Sequence, residues 1–142
     1  MDLQRRQAGF TYIGVLVAVV IMSIGLAAVG ELWSATAERQ RKQQLDWMGE
    51  EFVQAIGSYY YASPPGNRRF PPDLQALLAD TRFPFMRRHL RRIYLDPYSA
   101  TQQWGTVPAP DGGVMGIYSL AAPGDSRKVF AFTPLVTEAG VR

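Results

Sequence analysis

A chain of 142 residues has room for one compact domain and little more, since domains typically run to about 100–150 residues. It holds no cysteine and a single histidine, His89, which excludes disulfides, thiolate metal sites, cysteine nucleophiles and any multi-histidine site within one chain. The net charge of +3 is small, and with Arg5 and Arg6 set ahead of an apolar block it calls for no nucleic-acid partner.

From Gln7 to Gly30 run 24 consecutive uncharged residues, rich in valine, isoleucine, leucine and alanine and free of proline. As a helix rising about 1.5 Å per residue this segment covers about 36 Å, enough to cross a hydrocarbon core of about 30 Å. Arg5 and Arg6 in front of it and Glu31 behind it orient the span with its N-terminus cytoplasmic and the remainder outside the cytoplasm. A buried core helix would be shorter, and so small a head could not cover a helix that is apolar on every side. A secretory signal cut near Ala28-Val29-Gly30 would carry an apolar region of only about 7–15 residues. Gly14 with Ala18, and Ser23 with Ala27, stand four residues apart on one face, a spacing that lets helices approach closely in lipid.

Beyond Gly30 the pattern becomes amphipathic. Leu45, Met48, Phe52, Ile56 and Tyr59 follow steps of three and four, with Asp46, Glu50 and Gln54 between them. No proline intervenes before Pro64, so one helix is predicted from about Phe10 to about Tyr61, on the order of 75–80 Å long. Ala62-Ser63-Pro64-Pro65-Gly66-Asn67 ends it. Pro72-Asp73 ahead of Leu74, Leu77 and Leu78 predicts a short helix capped by Asp73. Arg82 to Arg92 carries five arginines and His89 among Phe83, Phe85, Met86 and Leu90, and reads as a solvated basic face over a short amphipathic turn. Such a stretch also has the chemistry to meet nucleic acid or anionic lipid. Trp104–Val107, Val114–Leu120 and Val129–Phe132 are predicted strands, the first two joined through Pro108 to Gly113, and their small sheet must pack on the amphipathic half of the long helix. The fold class is therefore α+β, a long N-terminal helix on an antiparallel sheet of about three strands.

The residues Gly9-Phe10-Thr11-Tyr12-Ile13-Gly14-Val15-Leu16-Val17 resemble the prepilin processing motif shared by type IV pilins and type II secretion pseudopilins. The resemblance implies a leader over 1–9, a peptidase cut between Gly9 and Phe10, and N-methylation of Phe10. It further implies a transmembrane and filament-core helix over 10–31 that packs through Gly14, Ala18, Ser23 and Ala27, a periplasmic half over 32–62, and a head over 63–142. Most of that family carries glutamate at the position of Gly14, which suggests a minor or divergent subunit. The head is similar to that of the major pseudopilin through Leu90 to Tyr98, with Asp96-Pro97-Tyr98, and through Gly116-Ile117-Tyr118-Ser119-Leu120. Lack of a disulfide also favours a pseudopilin over a type IV pilin.

The implied function is a pseudopilus subunit of a type II secretion-like system, anchored in the bacterial inner membrane with its head periplasmic. Its partners would be other pseudopilins, the prepilin peptidase, the inner-membrane assembly platform and membrane lipid, with no nucleic acid. The alternatives are a minor pilin of a type IV pilus or competence filament, or a membrane-anchored periplasmic binding protein. Relatives bind calcium in the loop matching Ala121 to Ser126, where Asp125 alone offers a carboxylate. No cofactor or metal is otherwise expected, and no enzymatic activity, because the carboxylates are scattered and His89 has no nucleophile at a recognisable motif.

Overall fold

The computed structural model describes residues 8–135, with side chains at 8–10 and 27–32 outside the description. Helix α1 runs Ala8–Tyr61 without a break, followed by a 3-10 turn at Gln75–Leu77 and strands β1 (Trp104–Pro108), β2 (Val114–Ser119) and β3 (Val129–Ala131). The chain divides into two units, Met1–Gln40 and Arg41–Arg142. The first holds the apolar part of α1.

Within the second unit, α1 presents one stripe to the sheet. Leu45, Met48, Phe52, Ala55, Ile56 and Tyr59 are buried at helical spacing, and they meet Leu77, Leu90, Ile93, Trp104, Ile117, Ala122 and Phe130 in one core. Phe52 is fully enclosed, its ring 5.4 Å from that of Trp104 and 6.1 Å from that of Tyr94. The indole N–H of Trp104 donates to the Tyr94 carbonyl at 2.9 Å, so burial of this ring leaves no polar atom unmet.

The sheet is an antiparallel meander in the order β1-β2-β3. Its hairpin closes through Gly112 at φ +84°, where Ala109 N–H donates to Gly113 O and Asp111 accepts from the N–H of Gly113. The second oxygen of Asp111 accepts from Phe70 N–H at 2.9 Å, and Val114 N–H donates to Pro71 O, which ties the 63–74 segment to the hairpin. Strand boundaries differ from the predicted ones by a residue, as β1 takes in Pro108, β2 stops at Ser119 and β3 at Ala131. The helix expected after Pro72 is shorter than its pattern suggested. Asp73 accepts from Ala76 N–H at 2.8 Å, but the N-cap position falls on Leu74, and only three residues adopt a 3-10 turn before the chain leaves to bond Arg87.

Two glycines permit close approach, one of helix to sheet and one of strand to strand. A Cβ at Gly49 would run into the ring of Phe130, and one at Gly116 would run into the Phe130 carbonyl of the neighbouring strand. Gly49→Ala has to displace a buried aromatic ring, whereas Gly116→Ala has to part β2 from β3. Each is expected to lower stability by about 1–3 kcal/mol in urea unfolding followed by circular dichroism, with Gly124→Ala, where space is open, unchanged within about 0.5 kcal/mol.

Candidate processing and assembly site

In the first unit the expected processing site lies at the start of α1. Gly9 and Phe10 fall in its first turn, while residues 1–7 of the leader and the side chains of Gly9, Phe10 and Ala27 lie outside the described residues. Thr11 to Leu26 is helical and exposed at every position. Its large apolar side chains point outward on all sides, from Leu16 at 48 % to Leu26 at 73 % exposure. Gly14 has open space around it, Ala18 is exposed, and Ser23 turns its hydroxyl back to the Val19 carbonyl at 2.8 Å. That back-bond lets a serine sit in apolar surroundings without an outside partner. Among the described residues no helix is long and apolar enough to cross a membrane; those with described side chains here, 11–26, fall short of the roughly 20 that a span needs. The 10–31 span thus extends past what is described.

In the second unit a polar cluster closes the end of α1. Asp80 is buried, and both its oxygens are taken by Arg82, with Nε at 2.9 Å and Nη2 at 2.7 Å. The same guanidinium donates to the Tyr59 carbonyl at 2.9 Å and to Ser63 Oγ at 3.0 Å, and stacks 3.6 Å over the Tyr59 ring. The last turn of α1 contains no basic residue of its own, so Arg82 supplies the cation that the exposed carbonyls of a helix C-terminus favour. The bidentate Arg82 lowers the Asp80 carboxyl to about 2, against the opposing effect of burial. Arg82 in turn is raised by that bond, and burial raises Tyr59.

His89 completes the cluster, and sequence reading missed its neighbours. Its Nε2 lies 3.2 Å from Asp80 Oδ2 and its Nδ1 2.8 Å from Ser58 Oγ. Since an ionised carboxylate only accepts, Nε2 carries the proton. Serine, histidine and aspartate thus stand in line, as in a hydrolase triad, but without the rest of its chemistry. Asp80 is committed to Arg82, and Ser58 sits inside continuous α-helix, whose N–H groups are spent on the i−4 carbonyls and cannot form an oxyanion hole around it. Arg87, Arg88, Arg91 and Arg92 are exposed. Arg82 is exposed too, yet its guanidinium is committed to Asp80, Ser63 and the Tyr59 carbonyl, which a purely solvated basic face would not require.

Asp96 is the second buried carboxylate. Its Oδ2 accepts from Ser119 Oγ at 2.6 Å and its Oδ1 from Tyr98 N–H at 2.9 Å, while Ser119 Oγ accepts from Ala122 N–H. One side chain thereby joins the Asp96-Pro97-Tyr98 turn to the end of β2. The loop that follows is fastened to α1 by Lys42–Asp125 at 3.6 Å and Lys128–Asp46 at 2.8 Å. Asp125, the one carboxylate of this loop, is largely exposed 3.6 Å from the Lys42 ammonium, and among the described residues no three acidic or histidine side chains gather around one point.

Asp80 makes an acid-labile contribution to this unit. Its folded pKa lies below the unfolded value of 3.8, so its contribution is complete above about pH 4 and is lost as pH falls towards 2. Urea unfolding measured across that range should show about 2 kcal/mol of acid-labile stability from this group. Asp80→Asn, which strands Arg82 and His89, should cost about 3 kcal/mol at neutral pH and flatten the acid limb.

No curated protein and no solved structure matches the chain. Residues 4–30 match the model of the prokaryotic N-terminal methylation motif, the type IV pilin-like prepilin signal, a stretch that includes Gly9, Phe10 and the apolar part of α1.

Proposed function

We propose that this chain is a prepilin-type subunit whose leader is removed after Gly9, whose Phe10 is then N-methylated, and whose α1 serves first as an inner-membrane anchor and afterwards as filament core. The observation that carries the reading is the all-round exposure of the apolar side chains from Ile13 to Leu26. A helix with one apolar stripe is satisfied by its own domain; one apolar on every side needs lipid or neighbouring helices. The methylation motif over 4–30 supports the same segment as a processed N-terminus. Gly9 suits a cleavage point physically, since glycine weakens a helical first turn by about 1 kcal/mol relative to alanine and leaves the backbone accessible.

Within that reading the chain acts as a pseudopilin of a type II secretion-like pseudopilus, with its head in the periplasm, other pseudopilins and the assembly platform as partners, and a role in export across the outer membrane. The absence of cysteine and the resemblance around Asp96-Pro97-Tyr98 favour it over a type IV pilin. The role is structural, without cofactor or catalytic step: the Ser58–His89–Asp80 line works as a clamp between α1 and the 77–90 segment.

Intact mass of the membrane-extracted protein, from cells that express a prepilin peptidase, tests the processing directly. The native chain should lack residues 1–9 and carry one added methyl group, and Gly9→Val should keep full length. A native protein still bearing Met1 overturns the reading. Gly14→Glu supplies a carboxylate near the new terminal amine and should raise the yield of cross-linkable filament; an unchanged yield removes the significance given to Gly14.

A further inference from the structure

The segment 81–95 contains five arginines and no carboxylate. The acids that bracket it, Asp80 and Asp96, are buried and already bonded. Arg87, Arg88, Arg91 and Arg92 are exposed, and none takes part in the four ion pairs found among the described residues. Between Arg82 and Arg87 the chain turns Phe83-Pro84-Phe85-Met86 outward, leaving Phe85 65 % and Met86 69 % exposed. This tip is held in place. Asp80 N–H donates to Arg87 O at 2.8 Å across the base of the loop, and Asp80 grips Arg82 on the other side.

A preorganised apolar tip followed directly by Arg87 and Arg88, cations outside any ion pair, matches the layering of a bilayer surface, where acyl chains lie beneath anionic headgroups, whereas Arg92 packs over the Tyr94 ring at 5.5 Å, away from this tip. A single-stranded nucleic acid would need open ring faces for stacking. Phe83 does not offer them: Phe85 stacks on it at 6.1 Å and 23°, and the guanidinium groups of Arg87 and Arg82 stand 5.6 and 5.7 Å from its centre. We infer that the loop from Arg82 to Arg88 is a membrane-surface contact, in which Phe85 and Met86 enter the headgroup layer of an anionic bilayer while Arg87 and Arg88 meet lipid phosphates. The inference stands apart from the filament reading, since every residue it uses lies within Arg41–Arg142.

The full chain is placed in nanodiscs of phosphatidylcholine, so that the N-terminal helix is already occupied, and mixed with separate vesicles of phosphatidylcholine alone or with added phosphatidylglycerol. Flotation should recover the protein with the anionic vesicles only, and less of it as salt rises. Arg87→Ser with Arg88→Ser should weaken vesicle binding about 25-fold, at about 1 kcal/mol per arginine. Phe85→Ser with Met86→Ser should weaken it about tenfold or more. Arg39→Ser with Arg41→Ser, which removes the same charge from α1, and Leu120→Ser, which removes an exposed apolar group outside the loop, should bind like the native chain. The replaced loop side chains are exposed, so circular dichroism should remain native. Equal recovery with neutral vesicles overturns the inference. So does undiminished binding by both loop pairs, an equal loss in the Arg39/Arg41 control, or a loop that captures single-stranded DNA or an acidic peptide while vesicles leave it unaffected.

Discussion

Apolar surface without a partner in its own chain is the constraint from which the rest of this molecule follows. Between Thr11 and Leu26 the side chains of α1 are exposed on every side, and among the described residues nothing covers them. Between Leu45 and Tyr59 the same helix buries one stripe against a sheet that would be marginal by itself. Continuity of the helix means that the head's core is organised by an element whose other part requires different surroundings. Loss of those surroundings would expose apolar area worth about 25 cal/mol per Å², far more than any polar contact in the head could offset.

Polar chemistry in the head serves to close elements, and it does so with full satisfaction. Among the described residues no buried side-chain nitrogen or oxygen lacks a partner. Asp80 and Asp96 are each bonded on both oxygens, and each links segments far apart in sequence: Asp80 joins the 80–89 loop to the end of α1, and Asp96 joins the 96–101 turn to β2. A buried carboxylate is tolerated only on such terms. The two ion pairs that hold the 123–128 loop to α1 are of another kind. Both are exposed and screened by water, so they position the loop more than they stabilise it.

Much of this was legible in the sequence, for reasons that differ from element to element. Helix α1 and its buried stripe were readable because periodicity and the lack of proline act locally, and its end at Tyr61 is where the sequence put it. The hairpin was readable from Pro108 to Gly113, where turn chemistry is local too. Ala55, Gly49 and Gly116 were not, because a small residue discloses nothing until the ring or strand that crosses it is known. The Asp80 cluster escaped for a related reason. Ser58, Asp80 and His89 are spread over 31 residues, and Arg82 looked like the first member of a solvated basic run when it is the counter-ion that makes burial of Asp80 possible. Asp96 showed only as part of a motif resemblance, and its bonds to Ser119 and Tyr98 give that motif a physical reason.

On the proposed reading, the uncharged character of the 11–26 segment has a consequence for where the subunit belongs. Cleavage after Gly9 creates a positively charged amine at Phe10, and this stretch holds no carboxylate to meet it. Ser23, its one hydroxyl apart from those of Thr11 and Tyr12, is turned back on the Val19 carbonyl. A cation left unpaired deep among packed apolar helices is costly, whereas one at a lipid headgroup or a water-filled end is not. A helix built this way enters the interior of a filament only if a neighbour brings the carboxylate, and it sits at an end with no such help. On that reading, glycine at position 14 bears on where in the assembly the subunit is accommodated as well as on how readily it joins.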